Sequence, residues 1–192
     1  MYVTSGIDTE VQHTLETLVE FVNALADADT ADDDVDVDTR ALLEQHGFGR
    51  AAAAPEAAIR RTTARVRDLT PRVMSLPDSN VSAATDWINA ELTELRVAPA
   101  LSAHDGSELH IHWTPPSATF DDQVLADVLM SLAQELCDHG TERFGRCAAT
   151  DCEHLFYDAT RNGSRRFCSD PRCASRTHTA DHRKRRKRRA AS

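Results

Sequence analysis

The stretch Cys147–Arg189, CAATDCEHLFYDATRNGSRRFCSDPRCASRTHTADHRKRRKRR, decides how the chain is read. It holds two cysteine pairs, Cys147/Cys152 and Cys168/Cys173, each with four residues between its members and fifteen between the pairs. Four thiolates so spaced close a tetrahedral site around one Zn²⁺ and leave no open coordination position, which makes the ion structural rather than catalytic. A segment this short cannot bury enough apolar surface to fold unaided. Metal binding is therefore expected to supply most of its folding free energy, on the order of 10 kcal/mol. His154, His178 and His182 lie close enough in sequence to replace one cysteine, and a metal-free segment is the remaining alternative. Cys137 stands ten residues upstream, outside the paired pattern.

Between the pairs, Leu155, Phe156 and Tyr157 read as the apolar patch of a small hairpin, with Asn162-Gly163 as its turn. Ser169 is the expected N-cap of a following helix and Pro171 lies in its first turn, so Cys173 falls at the helix start. A hairpin, a zinc clamp and a basic helix resemble a treble-clef finger. Arg165, Arg166, Arg172 and Arg176 line this module, and Arg183, Lys184, Arg185, Arg186, Lys187, Arg188 and Arg189 follow as an unbroken basic run. These eleven residues are the candidate nucleic-acid contacts.

The net charge of −9 conceals two opposite parts: residues 1–140 carry −17 and residues 141–192 carry +8. The first part repels phosphate and the second attracts it. No run of apolar residues is long enough to span a bilayer, so no membrane partner is expected. The N-terminal MYVTSGIDTEVQ lacks the basic start and apolar run of a secretory signal. A cytoplasmic location is expected. In that compartment five cysteines favour metal ligands or free thiols over disulfides.

Before residue 141 the pattern is mainly α. Ile7, Val11, Leu15, Leu18, Val22 and Leu25 recur at helical spacing and predict a helix over 8–27, with Val19 and Phe21 widening its apolar face. Asp27 to Asp38 reads as a solvated acidic loop. A calcium loop is the alternative, through Asp32, Asp34, Asp36 and Asp38, but it lacks the mid-loop glycine and the terminal glutamate. Asp38 caps a short helix that stops at Gly47. Pro55 opens a third helix, with Ile59, Thr62, Val66, Leu69 and Val73 inward, and Pro71 is expected to kink or end it. Its outer arginines, Arg60, Arg61, Arg65 and Arg67, are expected to pair with carboxylates. Asn80 or Ser79 caps a fourth helix. Val97–Leu101 and Leu109–Trp113, around Asp105-Gly106, predict a hairpin. His110 and His112 share one face of it and form a conceivable metal pair, against the plainer reading of a polar strand face. Thr119 caps a fifth helix with Asp121 and Asp122 in its first turn. The expected fold is thus a helical N-terminal domain with one β-hairpin over 1–140, a zinc finger over 141–182, and a basic, disordered tail over 183–192.

The C-terminal module resembles the CGNR-type zinc finger. That family's cysteine pair, F-x-D-x-(S/T)-(R/K)-N segment, R-R-W-C and Cys-Gly-Asn-Arg are matched by Cys147 and Cys152, Phe156 to Asn162, Arg165-Arg166-Phe167-Cys168, and Cys173-Ala174-Ser175-Arg176. Phe167 replaces the tryptophan and Ala174-Ser175 replaces Gly-Asn, so any positive φ that the glycine would allow is forfeited. Phe21-Val22-Asn23 also resembles a signature near the first helix of the ABATE-type helical domain that accompanies such fingers. The resemblance implies one structural Zn²⁺ and a bacterial transcription regulator of the stress-induced kind.

DNA is therefore the expected partner, held by arginine and lysine contacts to phosphate, with base reading assigned to Arg172 or Arg176. Six to ten such contacts imply an affinity loss of roughly 10³ to 10⁵ between 50 and 200 mM salt. RNA is the alternative, with Phe156, Tyr157 or Phe167 stacking on bases. A third reading makes the acidic body a small-ligand or partner-binding protein with an incidental tail, and a homodimer is compatible with each. No nucleophile–base pair is evident, and a closed thiolate site offers no activated water, so no enzymatic activity is expected.

Overall fold

The computed structural model describes residues 5–30, 37–102 and 110–190. Helix α1 (Ser5–Thr30) buries Leu15, Leu18, Val19, Phe21, Val22 and Leu25, the stripe its periodicity predicts, and runs beyond the expected limits at both ends. Of the proposed acidic loop, residues 31–36 lie outside the described residues. Helix α2 (Thr39–Gln45) starts where Asp38 accepts a hydrogen bond from the Ala41 N–H at 3.0 Å, and the chain leaves it through Gly47 at φ +78°. Helix α3 (Glu56–Met74) follows Pro55 and buries Ile59, Thr62, Val66, Leu69 and Val73.

Pro71 lies inside α3 and does not end it at once; the helix continues to Met74. Proline's missing N–H removes a single ladder bond, and so close to the end few later bonds depend on it. A 3₁₀ turn (Leu76–Asp78) leads to helix α4 (Val81–Glu94), which Asn80 caps by accepting from the Ala83 N–H at 2.9 Å. Strands β1 (Ala100–Ser102) and β2 (His110–His112) pair antiparallel with Leu101 opposite Ile111; the Asp105-Gly106 turn lies outside the described residues. Helix α5 (Phe120–His139) is the central element, packed against α1, α3 and α4 and burying Val124, Leu125, Val128, Leu129, Leu132 and Leu136. Thr119 and Asp122 cap it reciprocally.

Three of the four outer α3 arginines pair with carboxylates as expected; Arg60 is exposed, with no carboxylate partner among the described residues. Arg61 and Arg65 both donate to Asp121, at 3.0–3.1 Å, Arg65 reaches Asp122 at 2.7 Å, and Arg67 lies 3.3 Å from Asp29. Burial pushes the Asp121 carboxyl upward, but hydrogen bonds from Arg61, Thr119 and Arg65 outweigh it and hold the group below its ordinary value. Among the described residues no helix is long and apolar enough to cross a membrane.

The helical core does not stop at residue 140. Strands β3 (Phe144–Arg146) and β4 (Leu155–Tyr157) pair antiparallel, and Phe144, Leu155 and Tyr157 are buried in the same core as α1, α3 and α5. Three polar ties hold this hairpin down. Asn23, buried on α1, donates through Nδ2 to the Leu155 carbonyl at 2.9 Å and accepts from the Leu155 N–H at 2.8 Å, pairing with the edge of β4 as a neighbouring strand would. Tyr157 donates to the buried Glu135 carboxylate at 2.8 Å. Burial, with Glu135 alongside, pushes the Tyr157 hydroxyl upward, so it remains a donor. Arg146 reaches back to the 3₁₀ turn, donating to Asp78 at 2.7 Å and to the Met74 carbonyl at 3.0 Å.

Helix α6 (Pro171–Ala190) completes the chain. It includes Arg183 to Arg189, so the tail expected to be disordered is helical to Ala190. After Pro171 the segment holds no helix breaker, and arginine, lysine and alanine are strong helix formers. Among the described residues, no other helix or strand forms a substantial interface with α6.

Replacing Asn23 with Ala leaves both polar groups of Leu155 buried and unpaired. The expected loss is about 2–6 kcal/mol, at 1–3 kcal/mol per orphaned group, in urea unfolding of the zinc-loaded chain. A change within about 0.5 kcal/mol, ordinary for a surface site, would contradict the role given to Asn23.

Candidate metal centre

The site is assembled from two unlike halves. Its first half is the turn between β3 and β4. Cys147 follows β3 directly, and its N–H donates to the His154 carbonyl at 2.9 Å, extending the hairpin by one rung. The Cys152 N–H donates to the Ala149 carbonyl at 3.2 Å, closing a tight loop with both sulfurs at its tip. His154 is occupied with Asp27 of α1 at 2.9 Å.

The second half begins with the loop after β4, which Asp158 organises. Its buried carboxylate accepts from the Thr160 N–H at 2.8 Å, the Thr160 hydroxyl at 2.5 Å and the Arg165 N–H at 2.6 Å. Burial pushes this carboxyl upward, but those hydrogen bonds, with the Arg143 charge nearby, prevail and hold it below the ordinary range. The loop turns through Gly163 at φ +55°, and the Ala148 N–H donates to the Arg166 carbonyl at 2.8 Å, which brings Cys168 back to the first pair.

Three local expectations are corrected here. Leu155–Tyr157 pairs backwards with β3, not forwards across Asn162-Gly163, because Asp158 takes the N–H groups that a forward ladder would use. The Phe156 ring also lies on Gly145, where an added Cβ would sit 2.4 Å from the ring. The cap of α6 is Asp170, not Ser169: its carboxylate accepts from the Arg172 N–H at 2.8 Å, and Pro171 is the first helical residue. Ala174 and Ser175 sit inside regular helix, and neither has positive φ, so the conformational loss expected on replacing Gly-Asn does not arise.

The four sulfurs of Cys147, Cys152, Cys168 and Cys173 all lie within 4.8 Å of one another. Cys152 and Cys168 are 3.8 Å apart, and Cys168 and Cys173 are 3.7 Å apart. Thiolates about 2.3 Å from a tetrahedral Zn²⁺ stand about 3.8 Å from each other, so the residues present fit the ion. Burial pushes the Cys152 thiol up to about 11 and the Cys168 thiol further. For Cys147 burial also acts upward, but backbone hydrogen bonds at Cys168 and Ala149 outweigh it. A divalent cation resolves this conflict, because it binds the deprotonated form.

Among the described residues this is the one group able to hold a metal. Among the described residues no histidine joins it: His154 is engaged by Asp27, and His178 packs against Phe167 with ring centres 5.8 Å apart. His112 belongs to no such cluster, and Cys137 is exposed on α5 away from it.

The candidate nucleic-acid contacts divide sharply. Arg165 donates to the carbonyls of Phe167 and Tyr157, at 2.9 and 3.2 Å, with its guanidinium 5.8 Å from the Phe156 ring centre. Arg172 grips Asp170 at 2.8 Å and holds that carboxyl down at about 2. Arg176 pairs with Asp151 at 3.0 Å and donates to the Cys173 sulfur at 3.5 Å. Arg166 is exposed, with its guanidinium 5.8 Å from the Phe167 ring centre. Arg183, Lys184, Arg185 and Arg186 are exposed, and none has a carboxylate partner among the described residues. Lys187, Arg188 and Arg189 continue the same helix. Asp158 was part of the motif, yet its role was not read from it. An aspartate bonding the backbone two residues on is a known turn device, so the signal was present.

Residues 143–186 match the family model of the CGNR zinc finger. No curated protein matches the chain.

Two outcomes follow from the geometry. Metal analysis of the purified chain is expected to give one zinc per molecule, and Cys173→Ser to lower that occupancy; full occupancy in the variant would place the ion elsewhere. Asp158→Asn is expected to cost roughly 1.5–3 kcal/mol at pH 7, the range for hydrogen bonds to a charged group. Because the folded-state value lies below the usual one of about 3.9, this contribution is complete above that pH and fades as pH falls through the folded value. The difference in unfolding free energy between the two chains should therefore shrink below about pH 4, and comparing them subtracts the acid-driven loss of metal common to both.

Proposed function

We propose that this protein, which carries a CGNR zinc finger over residues 143–186, binds duplex DNA through helix α6 and acts as a cytoplasmic transcription regulator. The observation that supports this reading most is the state of α6. Among the described residues, it leaves the metal site without a substantial interface to any other element, and it carries Arg183, Lys184, Arg185 and Arg186 exposed and without carboxylate partners. Four consecutive basic residues, at about 100° each, spread around the whole circumference of a helix. Charge on all sides suits a helix lying between two walls of phosphate, as in the major groove of B-DNA, which is about 12 Å wide.

The RNA alternative finds less support. Base stacking needs accessible aromatic faces, whereas Phe156 and Tyr157 are buried and only Phe167 is partly exposed. The helical body, resembling the ABATE type, is assigned the part of sensor or partner-binding unit. An open cavity of about 510 Å³, lined by Thr39, Arg40, Ile59, Arg60 and Thr63, is the first place to seek a small ligand.

With Arg165, Arg172 and Arg176 engaged inside the finger, the phosphate contacts fall mainly to the 183–189 run. The plot of log affinity against log salt should have a slope of roughly −4 to −6, at about 0.9 per phosphate neutralised. Changing Arg183, Lys184, Arg185 and Arg186 together to Gln should reduce its magnitude by about 3–4. Affinity for duplex DNA that does not vary with salt would remove this reading. Selection from a random DNA pool would then show whether a preferred sequence exists.

A further inference from the structure

We infer that Arg176, a candidate phosphate contact by sequence, is instead the positioning residue of the zinc joint, tying α6 to the hairpin tip across the metal. It stands three residues after Cys173, and helical side chains lean toward the N-terminus, so its guanidinium lies back over the Cys173 sulfur. One arm donates to that sulfur at 3.5 Å; the other pairs with Asp151 at 3.0 Å. Asp151 is the chain neighbour of Cys152, which belongs to the other half of the site. One side chain thus spans the two halves that the ion itself joins.

The chemistry explains why arginine serves here. Four thiolates around one Zn²⁺ carry a net charge of about −2, and Cys152 is the least buried of the four. A guanidinium against the cluster offsets part of that charge and occupies a sulfur lone pair that a proton or a competing metal would otherwise reach. Its planar fork lets it bond thiolate and carboxylate together, which a lysine ammonium does less well. An exposed Arg–Asp pair alone contributes little; the effect comes from its place beside a charged centre. Arg172, which grips Asp170 and donates to no thiolate, lacks that place.

The role assigned to Arg176 rests in part on the reading of α6 as the nucleic-acid helix, so two independent readouts are used. The first is zinc transfer from the loaded full-length chain to a chromogenic chelator at neutral pH. Arg176→Gln should speed transfer about tenfold, the low end for loss of a hydrogen bond on a metal ligand. Asp151→Asn should act in the same direction, the double variant should be less than the product of the two, and Arg172→Gln should leave the rate unchanged. Arg176→Lys should recover part of the loss. The second readout is the salt slope of DNA binding, which Arg176→Gln should leave as it is. An unchanged transfer rate in Arg176→Gln overturns the proposal, as does a salt slope lowered by about one, which would return Arg176 to a phosphate. If the parent chain has no affinity for DNA, the functional reading falls and zinc transfer alone decides the role of Arg176.

Discussion

Four sulfur atoms held within 4.8 Å of one another cannot all ionise without a cation between them, and as thiols they would form a small, poorly cohesive cluster. That constraint governs the C-terminal quarter of the protein. Two sulfurs sit at the tip of a hairpin whose strands belong to the helical core, and two belong to a loop and helix with no core of their own. The metal therefore joins a firmly rooted part to a part that has little else to hold it.

The rooting is specific. Phe144, Leu155 and Tyr157 contribute apolar surface to the body, but apolar surface alone would let the hairpin slide. Asn23 fixes the register by bonding both backbone groups of Leu155, and Tyr157 adds a second tie by donating to Glu135 on α5. Glu135 also lies 3.1 Å from His139 and 3.6 Å from Arg143, and Arg143 donates to the carbonyl of Asp158. One buried carboxylate on α5 is thereby connected to the strand that precedes the second pair of ligands. The helical body and the finger meet through a shared core and a short polar chain, and a change in either can reach the other along it.

Much of this was legible in the sequence where the cause is local. The apolar stripe of α1, the caps Asp38, Asn80 and Thr119, the stop at Gly47 and the four-cysteine spacing each depend on residues a few positions apart. What was not legible depends on distance or on competition. Asn23 and Leu155 are 132 residues apart, and nothing near Asn23 says that its amide will act as a strand edge. The direction in which Leu155–Tyr157 pairs is not legible locally, because Asn162-Gly163 is a genuine turn, while Asp158 decides against its use as a hairpin. In the basic run, charge points to disorder, whereas the helix propensity of arginine, lysine and alanine favours the helix that reaches Ala190. Arg165, Arg172 and Arg176 count as charge in a sequence, yet only coordinates show that each already holds a carbonyl, a carboxylate or a sulfur.

The central claim is that zinc holds α6 in place while the hairpin tip stays rooted in the body without it. Hydrogen–deuterium exchange on the full-length chain, with zinc bound and after removal by a chelator, tests this most directly. The account predicts that removal exposes the amides of residues 164–190 to rapid exchange, while those of α1, α5, β3 and β4 keep their protection. Loss of protection throughout the chain, or unchanged protection along α6, would contradict it.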